Sequence, residues 1–382
     1  MMSFGGGTEL TEMHRTENAL NYTWNYTRDQ GTPQPDLCRI AVIGVGRAGN
    51  DTVTKLMDSG VTSVDCIAMN TDAAHLSASK ACRKILIGEK LTKGRGVGGD
   101  PALGRAAIEE SRKSAEDLLS GIDIAFITAG LGGGTGAGAA PIVAGIAKRK
   151  GAVTIGIVTM PLKKQKRRYK FAAKALAEMR RRCDTVVVID NNNLMQLAPN
   201  VQVSKASRVS DQVLANMIRE IVETISTPSL INLNFSNFKT IVTQGGMAVV
   251  GVGESDAPNR AEEAVRNALR NPSLDVDCAG ATGALIHVIG DNRMTIEEAN
   301  HVGEIVTEMM DRNARVIWGA SVDPLQEGRL KVTLVMTGVN SPNRLNSSKG
   351  ATAQLFNLDP AAEPERPIDI KLDLYQMETD SQ

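Results

Sequence analysis

The chain has no excess charge of either sign, since 43 Lys and Arg balance 43 Asp and Glu. That balance argues against the broad basic footprint of a nucleic-acid or membrane-surface binder, and against a strongly acidic, salt-adapted surface. Paired cysteines are lacking too. Cys38, Cys66, Cys82, Cys183 and Cys278 are scattered with no Cys-x-x-Cys spacing, which fits reduced thiols in a cytosolic protein rather than disulfides or zinc. Four isolated histidines, His14, His75, His287 and His301, form no metal constellation. There is no basic segment followed by an apolar core at the start, and no run of about eighteen apolar residues. A soluble, cytoplasmic protein without direct membrane insertion is expected, so the sequons at Asn21 and Asn25 are chance matches.

What the chain does have is glycine in one dense place. Gly130 to Pro141 read Gly-Leu-Gly-Gly-Gly-Thr-Gly-Ala-Gly-Ala-Ala-Pro, after a strand-like run, Ile122 to Ala129, and before helical spacing from Ala139 to Lys150. A glycine-rich turn from strand to helix brings backbone N–H groups close to an anion, and the helix N-terminus adds partial positive charge. Five glycines and a threonine between Gly132 and Gly138 favour a phosphate cradle over a plain turn.

With 382 residues, 42% of them hydrophobic, the chain can bury a large core in two domains with some tail. Residues 1–37 read as a disordered arm carrying one aromatic patch, Tyr22, Trp24 and Tyr26. From 38 to 204, strands at Arg39–Val45, Val64–Asn70, Arg83–Ile87, Ile122–Ala129, Val153–Thr159 and Thr185–Ile189 alternate with helices, one of them spanning Pro101–Leu119. That alternation predicts an α/β fold, a Rossmann-like parallel sheet with helices on both faces. Its ligand is expected at the carboxyl ends of the strands. Two further glycine-rich connections reach the same rim, Gly44 to Asp51 and Thr92 to Pro101. Residues 205–228 hold a long central helix whose wide stripe, Val209, Val213, Met217, Ile221 and Ile225 flanked by Leu214, Ile218 and Val222, predicts burial between two bodies. Residues 229–340 read as a smaller α+β domain with a mixed sheet. Residues 341–382 read as a disordered tail, in which 367–377 is either a partner-docking peptide or solvated chain.

These loops in this order, with the long helix and the second domain, resemble the tubulin/FtsZ superfamily, and FtsZ most closely. The Gly132–Gly138 run matches its signature. Supporting matches are Asn70-Thr71-Asp72, Gly246-Met247-Ala248, Gly251 to Glu254, Asp275-Val276-Asp277, Gly280 to Ile286 and Ile317-Trp318-Gly319-Ala320. The resemblance spans about Arg39 to Val339. It implies GTP or GDP binding, with Mg2+ accompanying the triphosphate, and head-to-tail assembly with itself or a second FtsZ-like protein. It also implies a membrane anchor or regulator as the partner of the tail peptide.

Carried over by position, the resemblance places Gly44, Gly46, Arg47, Ala48, Gly49, Asn50 and Asp51 against the phosphates, with Gly133, Gly134, Thr135 and Gly136 holding them. It places Val97, Gly98 and Gly99 at the γ-phosphate, Gln165 and Tyr169 at the ribose, and Asn191 and Asp211 at the guanine. Several positions depart from the family pattern. Arg47 stands for a glycine, Asp51 for an asparagine, Ala137 for what is often a hydroxyl residue, Gln165 for a glutamate and Tyr169 for an arginine. Lys163, Lys164, Lys166, Arg167 and Arg168 form a dense positive run, either a solvated face or a site for an acidic partner.

The sharpest departure lies after the long helix. The family's Asn-x-Asp-x-x-Asp synergy loop, which acts on a neighbour's nucleotide, is here Asn232-Leu233-Asn234-Phe235-Ser236-Asn237. Both carboxylates have become amides, which accept a hydrogen bond from water but take no proton at neutral pH. The expectation is a GTP-binding filament protein of cell division with weakened hydrolysis. The alternatives are an ordinary FtsZ-type GTPase of the division ring and, less favoured, a nicotinamide-dependent oxidoreductase built on Gly44-x-Gly-x-x-Gly.

Overall fold

A computed structural model describes residues 38–192, 203–226, 231, 233–243, 245–270 and 280–339, giving the backbone alone for 203–209. The N-terminal arm with its aromatic patch, the side chain of Val209, Asn232, the Asp275–Asp277 match and the 341–382 tail with its 367–377 peptide lie outside the described residues.

Long apolar runs become strands buried on both faces. β1 (Ile40–Val45), β2 (Asp65–Asn70), β3 (Arg83–Leu86), β4 (Ile124–Gly130), β5 (Val153–Met160) and β6 (Thr185–Asp190) form a parallel sheet ordered β3-β2-β1-β4-β5-β6. Every residue of β1 and β5 is buried, as expected when helices cover both sides. Alternate residues feed two cores. Ile43 and Ile127 meet α4 (Pro101–Glu110), α6 (Gly134–Arg149) and α7 (Lys166–Arg182), while Val42 and Phe126 meet α1 (Gly46–Asp58) and α8 (Val203–Ser226).

Two helices differ from the sequence expectation. The predicted helix over 101–119 is broken at Ser111, between α4 and α5 (Arg112–Leu118). There the Ser111 hydroxyl accepts a hydrogen bond from Gly88 N at 2.9 Å. Helix α6 begins at Gly134, inside the glycine run, not at Ala139. Its contact with α4 explains this. A Cβ on Gly138 would lie 2.2 Å from Pro101 O, and one on Gly104 would lie 2.3 Å from Gly134 O. Backbone-to-backbone packing of two helices thus overrides glycine's poor helix propensity.

Helix α8 seals the middle. Leu214, Met217, Ile218, Ile221 and Val222 are buried in one core with Ile155 and Ile157 of the parallel sheet and with Leu285 and Val335 beyond it. The latter belong to a mixed sheet of β7 (Met247–Ser255), β8 (Gly283–Gly290), β9 (Arg315–Val322) and β10 (Leu330–Val339). Strand β10 is antiparallel to β7 and β8, and β8 is parallel to β9. Helices α10 (Arg260–Leu269) and α11 (Ile296–Glu308) share a third core with this sheet. The two sheets join through Val186↔Met247 and Val187↔Ala248, so the described strands form one ten-stranded order.

Candidate functional site

Between β1 and β4 the strand order turns in opposite directions, which opens a crevice at their carboxyl ends. A cleft of about 520 Å3 lies there. The first loop builds its floor. A Cβ on Gly44 would lie 2.4 Å from Gly49 O, one on Gly49 would lie 2.3 Å from Thr128 O, and Gly46 has φ +75°. Only glycine fits this turn. Asn50 is fully buried and ties it. With its amide oriented to suit its neighbours, Nδ2 donates to Gly44 O at 2.9 Å and Gly46 O at 3.3 Å. Its Oδ1 accepts from Asn70 Nδ2 at 3.1 Å. These four residues sit behind the wall, whereas Arg47, Ala48 and Asp51 line it. Arg47 is exposed and helical, without positive φ, and pairs with Asp72 at 3.9 Å.

The second loop supplies the anion-binding end. Gly133 is the N-cap of α6 and no side chain caps that end, so its first-turn N–H groups are available to an anion. The glycines have separate jobs. A Cβ on Gly134 would lie 2.6 Å from Asp100 N, and one on Gly136 would lie 2.5 Å from Gly130 O, so the fold itself demands both. A Cβ on Gly133 meets nothing nearer than 3.8 Å. The protein leaves that space open on the cleft wall. Ala137 is buried in the core, so its missing hydroxyl is no loss to the cleft.

The third loop leans on the second, with Val97 packed beneath Gly134 and with Gly98 and Gly99 at φ +55° and +81° on the rim. Thr71, at 0% exposure, places its Oγ1 2.7 Å from Thr135 Oγ1, locking the end of β2 to the start of α6. Opposite, Gln165 accepts from Arg168 Nη1 at 3.1 Å, and both line the cleft. Tyr169 instead packs against the first core. At the far end Asn191 Oδ1 accepts from Ser210 Oγ at 2.9 Å, and Asp211 is 6% exposed. Burial, reinforced by the charge of Asp51 and opposed by Lys55, pushes the Asp211 carboxyl up to about 7. Asp51 pairs with His75 Nε2 at 3.1 Å.

Sequence reasoning did not assign Thr71, Asp72, Arg95, Arg168 or Ser210 to the wall. The Asn70-Thr71-Asp72 match was the available signal for the first two, and Ser210 stands beside Asp211.

Residues 231 and 233–237 lie elsewhere. Ile231 bridges Ala320, and Asn234 caps α9 (Phe235–Val242), its Oδ1 accepting from Asn237 N at 2.9 Å. Helix α9 leads into β7, whose first residue pairs with Val186 near the start of β6. This places it toward the N-terminal edge of the parallel strands. Along α8, Asp211 and Ser226 stand about 22 Å apart at 1.5 Å per residue. The two asparagines are therefore not part of their own chain's cleft.

Comparison with known proteins fits this geometry. Residues 39–199 match the Tubulin/FtsZ family, GTPase domain, and residues 246–340 match the FtsZ family, C-terminal domain. The cell division protein FtsZ 2 of Methanocaldococcus jannaschii is 47% identical over 308 residues, 80% of this chain and 81% of that protein. The chain belongs to the FtsZ family. An empty FtsZ dimer structure from M. jannaschii superposes with TM-score 0.74 at 44% identity, covering 80% of this chain and 89% of that one. A GTPγS-bound protofilament structure of CetZ2 from Haloferax volcanii, at 23% identity and TM-score 0.68, covers 80% of this chain and 95% of that one and shares the fold.

The GTPase-domain match implies GTP or GDP as the nucleotide of the FtsZ-family cleft. The uncapped α6 N-terminus and the space at Gly133 suit phosphate, and the buried Asp211 carboxyl suits the N–H edge of a base. Among the described residues no cluster of three or more His, Cys, Asp or Glu forms a metal site.

Proposed function

We propose that the protein is a GTP-binding filament protein of cell division whose hydrolysis of GTP is slow. The cleft supports binding. Gly133, Gly134, Thr135 and Gly136 receive the phosphates with Mg2+ accompanying them, Val97 to Gly99 meet the γ-phosphate, Gln165 meets the ribose, and Asn191 and Asp211 read guanine. An ionised Asp211 accepts from both N–H groups on guanine's edge, which adenine does not offer.

The placement of Asn234 and Asn237 away from their own cleft supports assembly. A second copy, or a second FtsZ-like protein, stacked head to tail would bring them to a neighbour's triphosphate. The dimer form of the M. jannaschii relative supports self-association. The site of action is the cytoplasm at the division plane. Among the described residues no helix is long and apolar enough to cross a membrane, and the 367–377 peptide would meet an anchor or regulator. The nucleotide domain comprises 38–204, the central helix 205–228 and the second domain 229–340.

Slow turnover rests on one observation, the amides at Asn234 and Asn237 where the family pattern has carboxylates. Losing a general base typically costs ~10²–10⁴-fold in rate. Phosphoryl transfer leans chiefly on positioning and charge, so residual turnover is expected. The second reading, an ordinary FtsZ-type GTPase, is favoured by the 47% identity to a relative named as a cell division protein. Phosphate release from purified protein with GTP and magnesium separates them. Turnover unchanged by Asn234→Asp with Asn237→Asp contradicts slow hydrolysis and leaves the ordinary GTPase.

A further inference from the structure

The basic run begun at Lys163 continues down the whole of α7. Between Lys163 and Arg182 the sequence holds ten Lys and Arg against one acid, Glu178. That acid is already engaged by Arg105 and Arg182. Helix α7 buries Ala172, Ala175 and Met179. At 100° per residue, Arg167, Lys170, Lys174 and Arg181 fall on the opposite side, and all four are exposed. They make a cationic stripe about 21 Å long at 1.5 Å per residue. Lys163, Lys164 and Lys166 extend it to the mouth of the cleft. None of Lys163, Lys164, Lys166, Lys170 and Lys174 has an ion-pair partner among the described residues. In a chain of zero net charge, so one-sided a face calls for a complement.

The chain carries that complement. Residues 359–380 hold seven acidic residues (Asp359, Glu363, Glu365, Asp369, Asp373, Glu378 and Asp380) against Arg366 and Lys371. The described fold ends beside the foot of α7. Val339 pairs with Met247, and Arg180 Nη2 lies 2.7 Å from Met247 Sδ. The 19 residues between Val339 and Asp359 can span at most about 3.3–3.6 Å each, roughly 65 Å in all. That reach exceeds the length of the stripe, so the acidic segment can arrive there without a second molecule.

We propose that the outward face of α7 is the docking surface for the acidic 359–380 segment of the same chain. Docking holds the 367–377 peptide against its own subunit and covers the basic flank of the cleft mouth. An outside partner of that peptide must then displace the stripe before it binds.

Zero-length carbodiimide cross-linking of the full-length protein, as an equal mixture of unlabelled and 15N-labelled chains, tests this. Most tail cross-links are expected at Lys163, Lys164, Lys166, Lys170 and Lys174, in pairs of a single isotopic composition. They should fall several-fold when salt rises from about 0.1 M to about 1 M, which shortens the screening length from about 10 Å to about 3 Å. The cross-links at the unaltered Lys163 and Lys164 should also be lost in K166E/K170E/K174E, whose three positions are exposed, with thermal unfolding serving as the check of folding. Isotopically mixed pairs would overturn same-chain docking in favour of a neighbour's tail. Tail cross-links spread evenly over other lysines, or absent, would overturn the surface itself.

Discussion

The two edges of the parallel sheet make opposite use of the same kind of residue. At the carboxyl edge, polar side chains are held by other loops and turned toward a common space. Thr135 is held by Thr71 and Asn191 by Ser210, while Asp211 is buried where its charge is costly. At the other edge, Asn234 is engaged by its own helix as a cap. The contrast teaches that polar side chains at one edge are presented to a cleft, whereas at the other Asn234 is spent on its own helix. Nothing about the cap requires an amide, since Asp and Asn cap helices about equally well. Asn and Asp therefore serve the fold alike at this position, and under the proposed slow hydrolysis the amide bears on the chemistry alone.

The largest test of this contrast restores the acids. Asn234→Asp with Asn237→Asp should leave thermal stability unchanged and raise GTP turnover by up to ~10²–10⁴-fold, measured as phosphate release. The next test separates a ligand's glycine from the fold's. Gly138→Ala, forced against Pro101 O, should destabilise the protein by roughly 1–3 kcal/mol in denaturant unfolding. Gly133→Ala, with room around it, should unfold at the same denaturant concentration yet weaken GTP binding by about tenfold or more in fluorescence titration.

Asp211 gives a smaller, graded effect. In the proposed reading guanine is held by the ionised carboxylate, and burial pushes this group up to about 7. GTP affinity should therefore be level above that pH and fall by about tenfold per unit below it, with Asp211→Asn abolishing the dependence. The smallest effect concerns the join between α8 and the mixed sheet. His287 is buried between Thr224 and Ser321, with its pKa pushed down to about 4. From its ordinary value of 6.5 down to about 4 the unfolded chain binds a proton that the folded one does not. Stability is thus lost as pH falls through that window, and the slope should diminish in His287→Gln.

Much of this was legible in the sequence, because it rested on local pattern. Apolar runs gave the strands, glycine loops marked the rim, and the wide stripe from Val209 to Ile225 located the helix between the sheets. What stayed hidden depended on contacts between distant segments. The start of α6 at Gly134 follows from α4 lying against it, and the break at Ser111 follows from a bond to Gly88. Asn50 and Tyr169 face inward, toward partners that no local spacing announces. The Thr71–Thr135 contact spans 64 residues and is visible only once β2 and α6 are placed side by side.

Simultaneous light scattering and phosphate release from the unaltered protein with GTP and magnesium tests the central claim most directly. Nucleotide-dependent scattering that outlasts a nearly flat phosphate trace is the predicted result. Phosphate released as fast as in the Asn234→Asp, Asn237→Asp protein would contradict it.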